Sequence, residues 1–405
     1  MFKRHWPVVV FSLLSVAFLA SLAWWLFRPR PSLDGIERLV TEGRHDEVEA
    51  RLLAYLAQVP DDQAARLMLG RYSVDRPDHK PDLALQQVAA IKPTSRRWRA
   101  QINAIQGEAY FQKRKYHEAE TAWLEALHFD PKTPEVGWGL LNLYSLQSRD
   151  LEARRLGLRL AHFEPDPHDR VQLLLQLIRH DAHAISAASV VIQLTDVVRE
   201  NPDDLPSTLA LARALVREGK TEPGLALLRS ALDSHPNSPE AWDSYLNALT
   251  DLGQIDPLSQ ALESLPSTLA DDPRFNVPRG WLAAQKHDWP AAARAYRRAW
   301  DSQPADIALA YRLQSALRNG AGPFQAEFDQ LAPQLQAASA ARDRLRALYD
   351  QLDAIPDLGH SAHPDLYREV ADALTPLGRR DEALAWRALA EGKRPPPPSP
   401  PAKLP

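Results

Sequence analysis

Prolines recur along this chain at a spacing that indicates a repeat array. Pro131 and Pro165 are 34 residues apart. The same distance separates Pro202 from Pro236, and twice that distance separates Pro236 from Pro304. Only the step from Pro165 to Pro202 differs, at 37 residues, which we interpret as a short insertion. Each proline follows an amphipathic stretch, so the period predicts a stack of similar helical units that contact mainly their neighbours.

Small and aromatic residues recur at fixed places within this period. The clearest copy contains Gly107, Tyr110, Ala119, Trp123, Ala126 and Pro131. A second copy contains Gly280, Ala292, Tyr296, Ala299 and Pro304. The pattern resembles the tetratricopeptide repeat, W-x2-L-G-x2-Y followed by A-x3-F and then by A and P. The resemblance implies an all-α fold, a right-handed superhelical solenoid of helix-turn-helix repeats.

The resemblance covers nearly everything after residue 31. Copies can be placed at residues 32–62, 63–97, 98–133, 134–167, 168–204, 205–238, 239–272, 273–306, 307–345 and 364–392. The stretch 307–363 is degenerate, and we expect longer helices from Gln325 to Ala354. The predicted solenoid domain therefore spans residues 32–392.

The spacing of small and large residues has a packing reason. Two antiparallel helices approach closely only where one of them presents Gly or Ala, and a large residue four positions on fills the neighbouring hollow. This explains why Ala119 precedes Trp123 and Ala292 precedes Tyr296. Paired aspartates such as Asp61-Asp62 near the repeat prolines are interpreted as helix N-caps.

Residues 6–27 contain no charged side chain. As a helix they would be about 33 Å long, against about 30 Å for the hydrocarbon core of a bilayer. Tryptophans lie at both ends of the run, and basic residues flank it, as expected at membrane interfaces. We therefore predict an N-terminal cytoplasmic tail and a transmembrane signal-anchor helix in residues 1–31.

A cleaved signal peptide is the alternative, because Ser21-Leu22-Ala23 offers a small-x-small cleavage site. The apolar run continues past this site to Phe27, which favours the anchor. Lys3 and Arg4 on the short tail favour a cytoplasmic N-terminus. The expected location is the bacterial inner membrane, in a single-pass protein whose repeat domain lies outside the cytoplasm.

Composition and motifs exclude several functions. The net charge is −4, with 48 basic and 52 acidic residues interspersed, so we expect no nucleic-acid partner. There is no cysteine, which excludes disulfides and thiolate metal sites. No glycine-rich phosphate loop, G-x-S-x-G or H-E-x-x-H motif occurs. His162, His168, His180 and His183 match no known metal-ligand spacing. We expect no enzymatic activity, no cofactor and no metal.

The family resemblance implies a binding groove lined by the first helix of each repeat. Counting positions five, nine and twelve, with one basic neighbour, selects the candidate protein- or peptide-binding residues. They are Glu108, Trp138, Asn142, Gln172, Gln176, Arg179, Arg213, Arg217, Asp243, Asn247, Trp281, Tyr311 and Ser315. Such a mixture of amide, arginine and aromatic groups suits an extended peptide. The alternative is that each of these residues is polar only because an exposed helix face is polar.

The carboxylate clamp of the family's chaperone-binding branch is not matched. Asn142, Arg213, Arg217 and Asn247 have the right residue types, but the fifth repeat contributes Gln172 and Gln176, which breaks that branch's order. The chain ends in a proline-rich stretch, residues 393–405, which we predict to be an exposed, disordered tail.

Three functions follow as hypotheses. The first is a membrane-anchored scaffold that binds a protein or peptide in its groove during envelope assembly, secretion or regulation. The second is an accessory subunit of a membrane enzyme or of a cytochrome maturation complex. The third is an enzyme with an unrecognised site. Co-purification from mild detergent, followed by identification of the partners, distinguishes them.

Overall fold

Helical pairs provide the regular structure of this chain in a computed structural model. The structure describes residues 33, 35–182, 185–302, 306–320, 325–359 and 363–399. These residues contain twenty α-helices, two short 3-10 helices and no β-strand. None of the helices found there is both long and apolar enough to cross a bilayer. The anchor that we predict at residues 6–27 lies outside the described residues.

Each predicted repeat contains one pair of helices. In chain order they are α1 Ile36–Thr41, α2 His45–Gln58, α3 Gln63–Asp75, α4 Pro81–Ala89, α5 Arg96–Gln112, α6 Tyr116–Phe129, α7 Pro134–Leu146, α8 Asp150–Phe163, α9 Pro167–Ala182, α10 Ala187–Glu200, α11 Leu205–Arg217, α12 Thr221–Ser234, α13 Pro239–Asp251, α14 Ile255–Glu263, α15 Asn276–Gln285, α16 Trp289–Ser302, α17 Ile307–Gly320, α18 Gln325–Asp353, α19 Pro364–Leu374 and α20 Arg380–Ala390. The longer helix expected in the degenerate stretch is confirmed, because α18 has 29 residues where α16 has 14.

The chain divides into two compact units, residues 1–93 and residues 94–405. In the first unit, the core includes Val48, Leu52 and Leu69. Asp62 caps α3 by accepting the backbone N–H of Ala65 at 3.0 Å, which confirms the predicted N-cap.

In the second unit, Trp123 shows why the repeat needs small residues at fixed places. Its side chain is buried beside α5 and α7. A Cβ atom added at Gly107 of α5 would lie 2.3 Å from Trp123 Cδ1, and one added at Gly139 of α7 would lie 2.7 Å from Cζ2. Gly280 repeats the arrangement, with 2.7 Å from an added Cβ to the Tyr296 ring. The interpretation of this spacing as close helix packing is therefore confirmed in both copies.

Helix α9 leaves the regular order of the stack. It packs against α8 and also against α18 and α20, which follow much later in the sequence. Its successor α10 packs on α11. Gln147, at the end of α7, donates to the Ser207 hydroxyl of α11 at 3.0 Å. The first helix of the sixth repeat thus reaches the end of the first helix of the fourth. A regular solenoid was expected here, and the departure falls in the repeat with the 37-residue proline spacing.

The proline-rich end also differs from the expectation. Residues 393–399 are described, and Pro395 is buried. His162 Nδ1, on the last turn of α8, lies 2.8 Å from the Pro395 carbonyl oxygen. An exposed tail was expected because a polyproline II segment has no internal hydrogen bonds. Its backbone carbonyls are for the same reason available to a partner, and here α8 supplies one. Residues 400–405 lie outside the described part.

Candidate functional site

The first helices of four successive repeats form a continuous row in the second unit. Helices α11, α13, α15 and α17 contact one another in that order, and we call them the first-helix row. Arg213 of α11 reaches α13, because its Nη1 lies 3.5 Å from Ser244 Oγ. Trp281 of α15 packs against the apolar clusters on both sides of that helix. Residues far apart in the sequence are therefore brought onto adjacent helices.

The predicted site residues divide between this row and the helices before it. On the row lie Arg213, Arg217, Asp243, Asn247, Trp281, Tyr311 and Ser315. On α5, α7 and α9 lie Glu108, Trp138, Asn142, Gln172, Gln176 and Arg179. The structure brings the first set into one row of contacting helices, and the second set lies on helices that precede that row.

Exposure separates these residues further. Arg217, Tyr311 and Ser315 are exposed on the row, whereas Asn247 and Trp281 are half-buried. Tyr311 is the exposed aromatic residue of this set, with 48% of the residue accessible. A side chain of this kind at the end of the row offers both a ring face and a hydroxyl to a partner.

The guanidinium group of Arg213 is engaged in contacts within the protein. Its Nη2 donates to the Gln147 carbonyl oxygen at 3.0 Å, and its Nη1 contacts Ser244 Oγ. Burial lowers the pKa of Arg213, and nearby Asp243 opposes that effect. The guanidinium therefore joins the end of α7 to α11 and α13, which is a structural role that the position count did not predict.

Asp243 is an acidic residue of α13 whose charge affects the pKa of Arg213. Burial raises the pKa of Asp243 to about 6, although Arg213, Arg274 and the Asn247 amide all lower it. Asn247 Nδ2 donates to Asp243 Oδ1 at 2.9 Å. A carboxyl group with this pKa gains or loses its charge near pH 6, where ordinary aspartates stay ionised. The charge on α13 therefore depends on pH in this range.

A cavity of about 480 Å³ lies between α17 and α18, at the end of the row. It is lined by Tyr311, Gln314, Ala332, Leu335, Gln336, Ser339, Ala340 and Asp343. Only Tyr311 among these belongs to the predicted set. The α18 residues were missed because that helix departs from the repeat pattern, so position counting stops before it. One feature of the sequence could have indicated these residues. The stretch from Gln336 to Ala340 contains only polar and small residues within an otherwise amphipathic helix.

The predicted residues of α9 lie in different surroundings. Gln176 is only 8% exposed, and α9 packs between α8 and the C-terminal helices. Gln172 is half-buried, and Arg179 is exposed close enough to Tyr349 of α18 to affect its pKa. One of the three predicted residues of α9 is thus buried, whereas the other two remain at least partly accessible. The role of Gln172, Gln176 and Arg179 in a binding groove therefore stays a prediction.

The clustered histidines have other neighbours in the structure. His162 contacts the Pro395 carbonyl, and His168 Nδ1 contacts the carbonyl oxygen of Leu358. The His180 side chain and all of His183 lie outside the described part. Among described residues, no group of three His, Asp or Glu side chains is placed to hold a metal ion.

Residues 205–249 match the family model described as "Tetratricopeptide repeat". The matched stretch begins with α11 and ends within α13, so it contains the Arg213, Asp243 and Asn247 part of the row. Cellulose synthase operon protein C of Pseudomonas fluorescens (strain SBW25) is 29% identical over 135 residues. That match covers 30% of this chain, and the chain spans 11% of the length of that relative.

Two solved structures are among those to which the chain is similar. A tetratricopeptide repeat protein from Parabacteroides merdae is 13% identical with a TM-score of 0.29, over 70% of this chain and 97% of that chain. The human IFIT1 dimer with m7Gppp-AAAA is 13% identical with a TM-score of 0.37, over 90% of this chain and 96% of that chain. Scores this low carry no argument about function. The sequence comparison thus identifies a tetratricopeptide repeat at residues 205–249, and the other copies rest on the sequence pattern and on the helical pairs.

Proposed function

We propose that this chain is a membrane-anchored helical-repeat scaffold that binds another protein, or an extended peptide, along the first-helix row. The observation that carries the proposal is the alignment of Arg217, Asn247, Trp281, Tyr311 and Ser315 on successive contacting helices, with an open cavity at one end. An extended peptide needs hydrogen-bond partners for its backbone and pockets for its side chains. The row supplies amide, hydroxyl and arginine groups, and the cavity supplies a pocket beside Tyr311.

The biological setting that we propose is envelope assembly, secretion or regulation in a bacterium, with the repeat domain outside the cytoplasm. Anchoring to a membrane raises the local concentration of a binding surface, so a weak interaction suffices. Nucleic acid is not part of the proposal, because basic and acidic residues are nearly balanced.

The row is tested by a charge reversal combined with loss of the exposed ring. We expect Arg217→Glu/Tyr311→Ala to reduce partner recovery from mild detergent at least about tenfold, because it removes an aromatic anchor and adds a repelling charge. Both residues are exposed, so folding should be unaffected. Partners are captured with a tagged full chain and quantified by mass spectrometry.

The matched control is Arg229→Glu, which makes the same charge change at an exposed position of the second helix α12. We expect it to retain partner recovery. Equal recovery from the double variant, the control and the parent would show that the partner does not bind along the row.

The anchor is tested separately from the row. We expect the full chain to stay in the membrane pellet after alkaline carbonate extraction, because residues 6–27 form an uncharged run long enough to span a bilayer. Deletion of residues 1–31 should release the protein into the supernatant. A soluble mature chain that begins near Trp24 would instead identify a cleaved signal peptide.

A further inference from the structure

The segment after α20 lies on the protein with a regular pattern of exposure. Pro395 is buried and Pro398 is half-buried, whereas Pro396, Pro397 and Ser399 are exposed. Consecutive prolines favour the polyproline II conformation, which has about three residues per turn. Residues 395 and 398 therefore lie on the same face of such a helix. That face packs against the protein, as the faces of polyproline II ligands do in their binding domains.

Polar contacts hold both ends of the segment. Gly392, with a φ of +68°, lets the chain reverse after α20, and the backbone N–H of Lys393 donates to the Ala388 carbonyl at 2.8 Å. At the other end, the Ser399 backbone N–H and hydroxyl donate to the Asp381 carboxylate at 3.0 and 2.8 Å. Since Asp381 lies in the first turn of α20, the segment runs back along that helix from its end to its beginning.

The middle of the segment contacts a second helix. His162 Nδ1 lies 2.8 Å from the Pro395 carbonyl oxygen, so this nitrogen carries the hydrogen and donates it. His162 belongs to α8, which is more than two hundred residues away in the sequence. Helices α8 and α20 also meet through Arg154 and Glu382, whose Nη1 and Oε1 are 3.2 Å apart. The segment therefore touches two helices that already adjoin.

We propose that α8 and α20 form a binding site for a polyproline II segment, and that the chain fills this site with its own residues 394–399. Occupation of the site ties α20 to α8. Because α18 and α20 also pack on α9, the docked segment holds the C-terminal helices in place over the fifth repeat. The site therefore selects a ligand with two prolines three residues apart on one face. The ligand must also offer a carbonyl oxygen to His162 and two hydrogen-bond donors to Asp381.

The first test uses a truncated chain that ends at Gly392 and a fluorescent synthetic peptide of residues 393–399. We expect fluorescence anisotropy to show that the peptide binds the truncated chain and not the intact one, in which the site is occupied. Asp381→Asn in the truncated chain should weaken peptide binding about tenfold, because hydrogen bonds to a carboxylate are the stronger kind. Asp372→Asn on α19 is the matched control, because Asp372 is an exposed carboxylate whose partner is Arg387.

The register of the segment is tested within the peptide. Pro395→Ala should weaken binding about tenfold, because the buried ring is lost, whereas Pro396→Ala on the exposed face should change it less than about threefold. Equal effects at the two positions would contradict the proposed docking face. Binding of the peptide to the intact chain as tightly as to the truncated chain would place it at another site and overturn the proposal.

A second measurement does not depend on the truncated chain folding. The protein has no cysteine, so Asp381→Cys/Ser399→Cys in the full chain introduces a single pair. We expect this pair to oxidise to an intramolecular disulfide under mild oxidant, because the two side chains are in contact. Asp381→Cys/Pro396→Cys is the control and should oxidise at least about tenfold more slowly, because Pro396 is exposed and makes no hydrogen bond to Asp381 as Ser399 does. Equal rates in the two variants would show that the segment is not docked.

Discussion

Replacing Gly107 with alanine is expected to lower the free energy of unfolding by at least about 1–3 kcal/mol, the cost of overpacking a filled core. The new Cβ would lie 2.3 Å from Trp123 Cδ1. The indole cannot move aside easily, because Gly139 of the next repeat gives it equally little room on its other side. Chemical unfolding of the full chain in mild detergent, followed by tryptophan fluorescence, measures the change.

A rescue experiment identifies the cause of that loss. Trp123→Leu removes the ring that the new methyl group would meet, so adding Gly107→Ala to Trp123→Leu should cost less than adding it to the parent, and the difference is the coupling energy. Gln101→Ala, at an exposed position of the same helix, is the control and should stay within about 0.5 kcal/mol. Additive effects of Gly107→Ala and Trp123→Leu would show that the two residues do not oppose each other.

Replacing Arg213 with glutamate is expected to destabilise the protein by at least about 1.5–3 kcal/mol, the typical contribution of a hydrogen bond to a charged group. The substitution removes the donor to the Gln147 carbonyl and places a second carboxylate beside Asp243. It also deprives Asp243 of a neighbour that lowers its pKa, so that pKa should rise above its value of about 6. Thermal unfolding at neutral pH measures the loss of stability.

Arg217→Glu provides the contrast, because Arg217 is exposed one helical turn after Arg213. Its effect on stability should be within about 0.5 kcal/mol. The sequence pattern alone does not distinguish the two arginines and would place both on a solvent-exposed helix face. Similar stabilities of the two variants would contradict the structural role that we assign to Arg213 and return it to the binding surface.

The repeat pattern predicted those parts of the fold that depend on neighbouring residues. The 34-residue proline period predicted the helical pairs, and the spacing of Gly, Ala and aromatic residues predicted the packing of Trp123 and Tyr296. Asp62 was identified as an N-cap from its place before α3. Each of these features depends on contacts within one repeat or between adjacent repeats. The residues responsible therefore recur in the sequence at the repeat period.

The candidate site was predicted only in part, for the same reason. Position counting placed Asn247, Trp281 and Tyr311 on contacting helices, because those repeats follow one another regularly. It could not show that Arg213 bonds to Gln147, since that contact skips a repeat. It also could not identify the cavity residues of α18, a helix outside the pattern.

Contacts between distant parts of the chain were decided by tertiary structure alone. Helix α9 packs against α18 and α20, and the proline segment lies against His162 and Asp381. These contacts join residues separated by about half of the chain or are made by a segment with no period of its own. A local pattern records which face of a helix is apolar, but it does not record which distant helix covers that face.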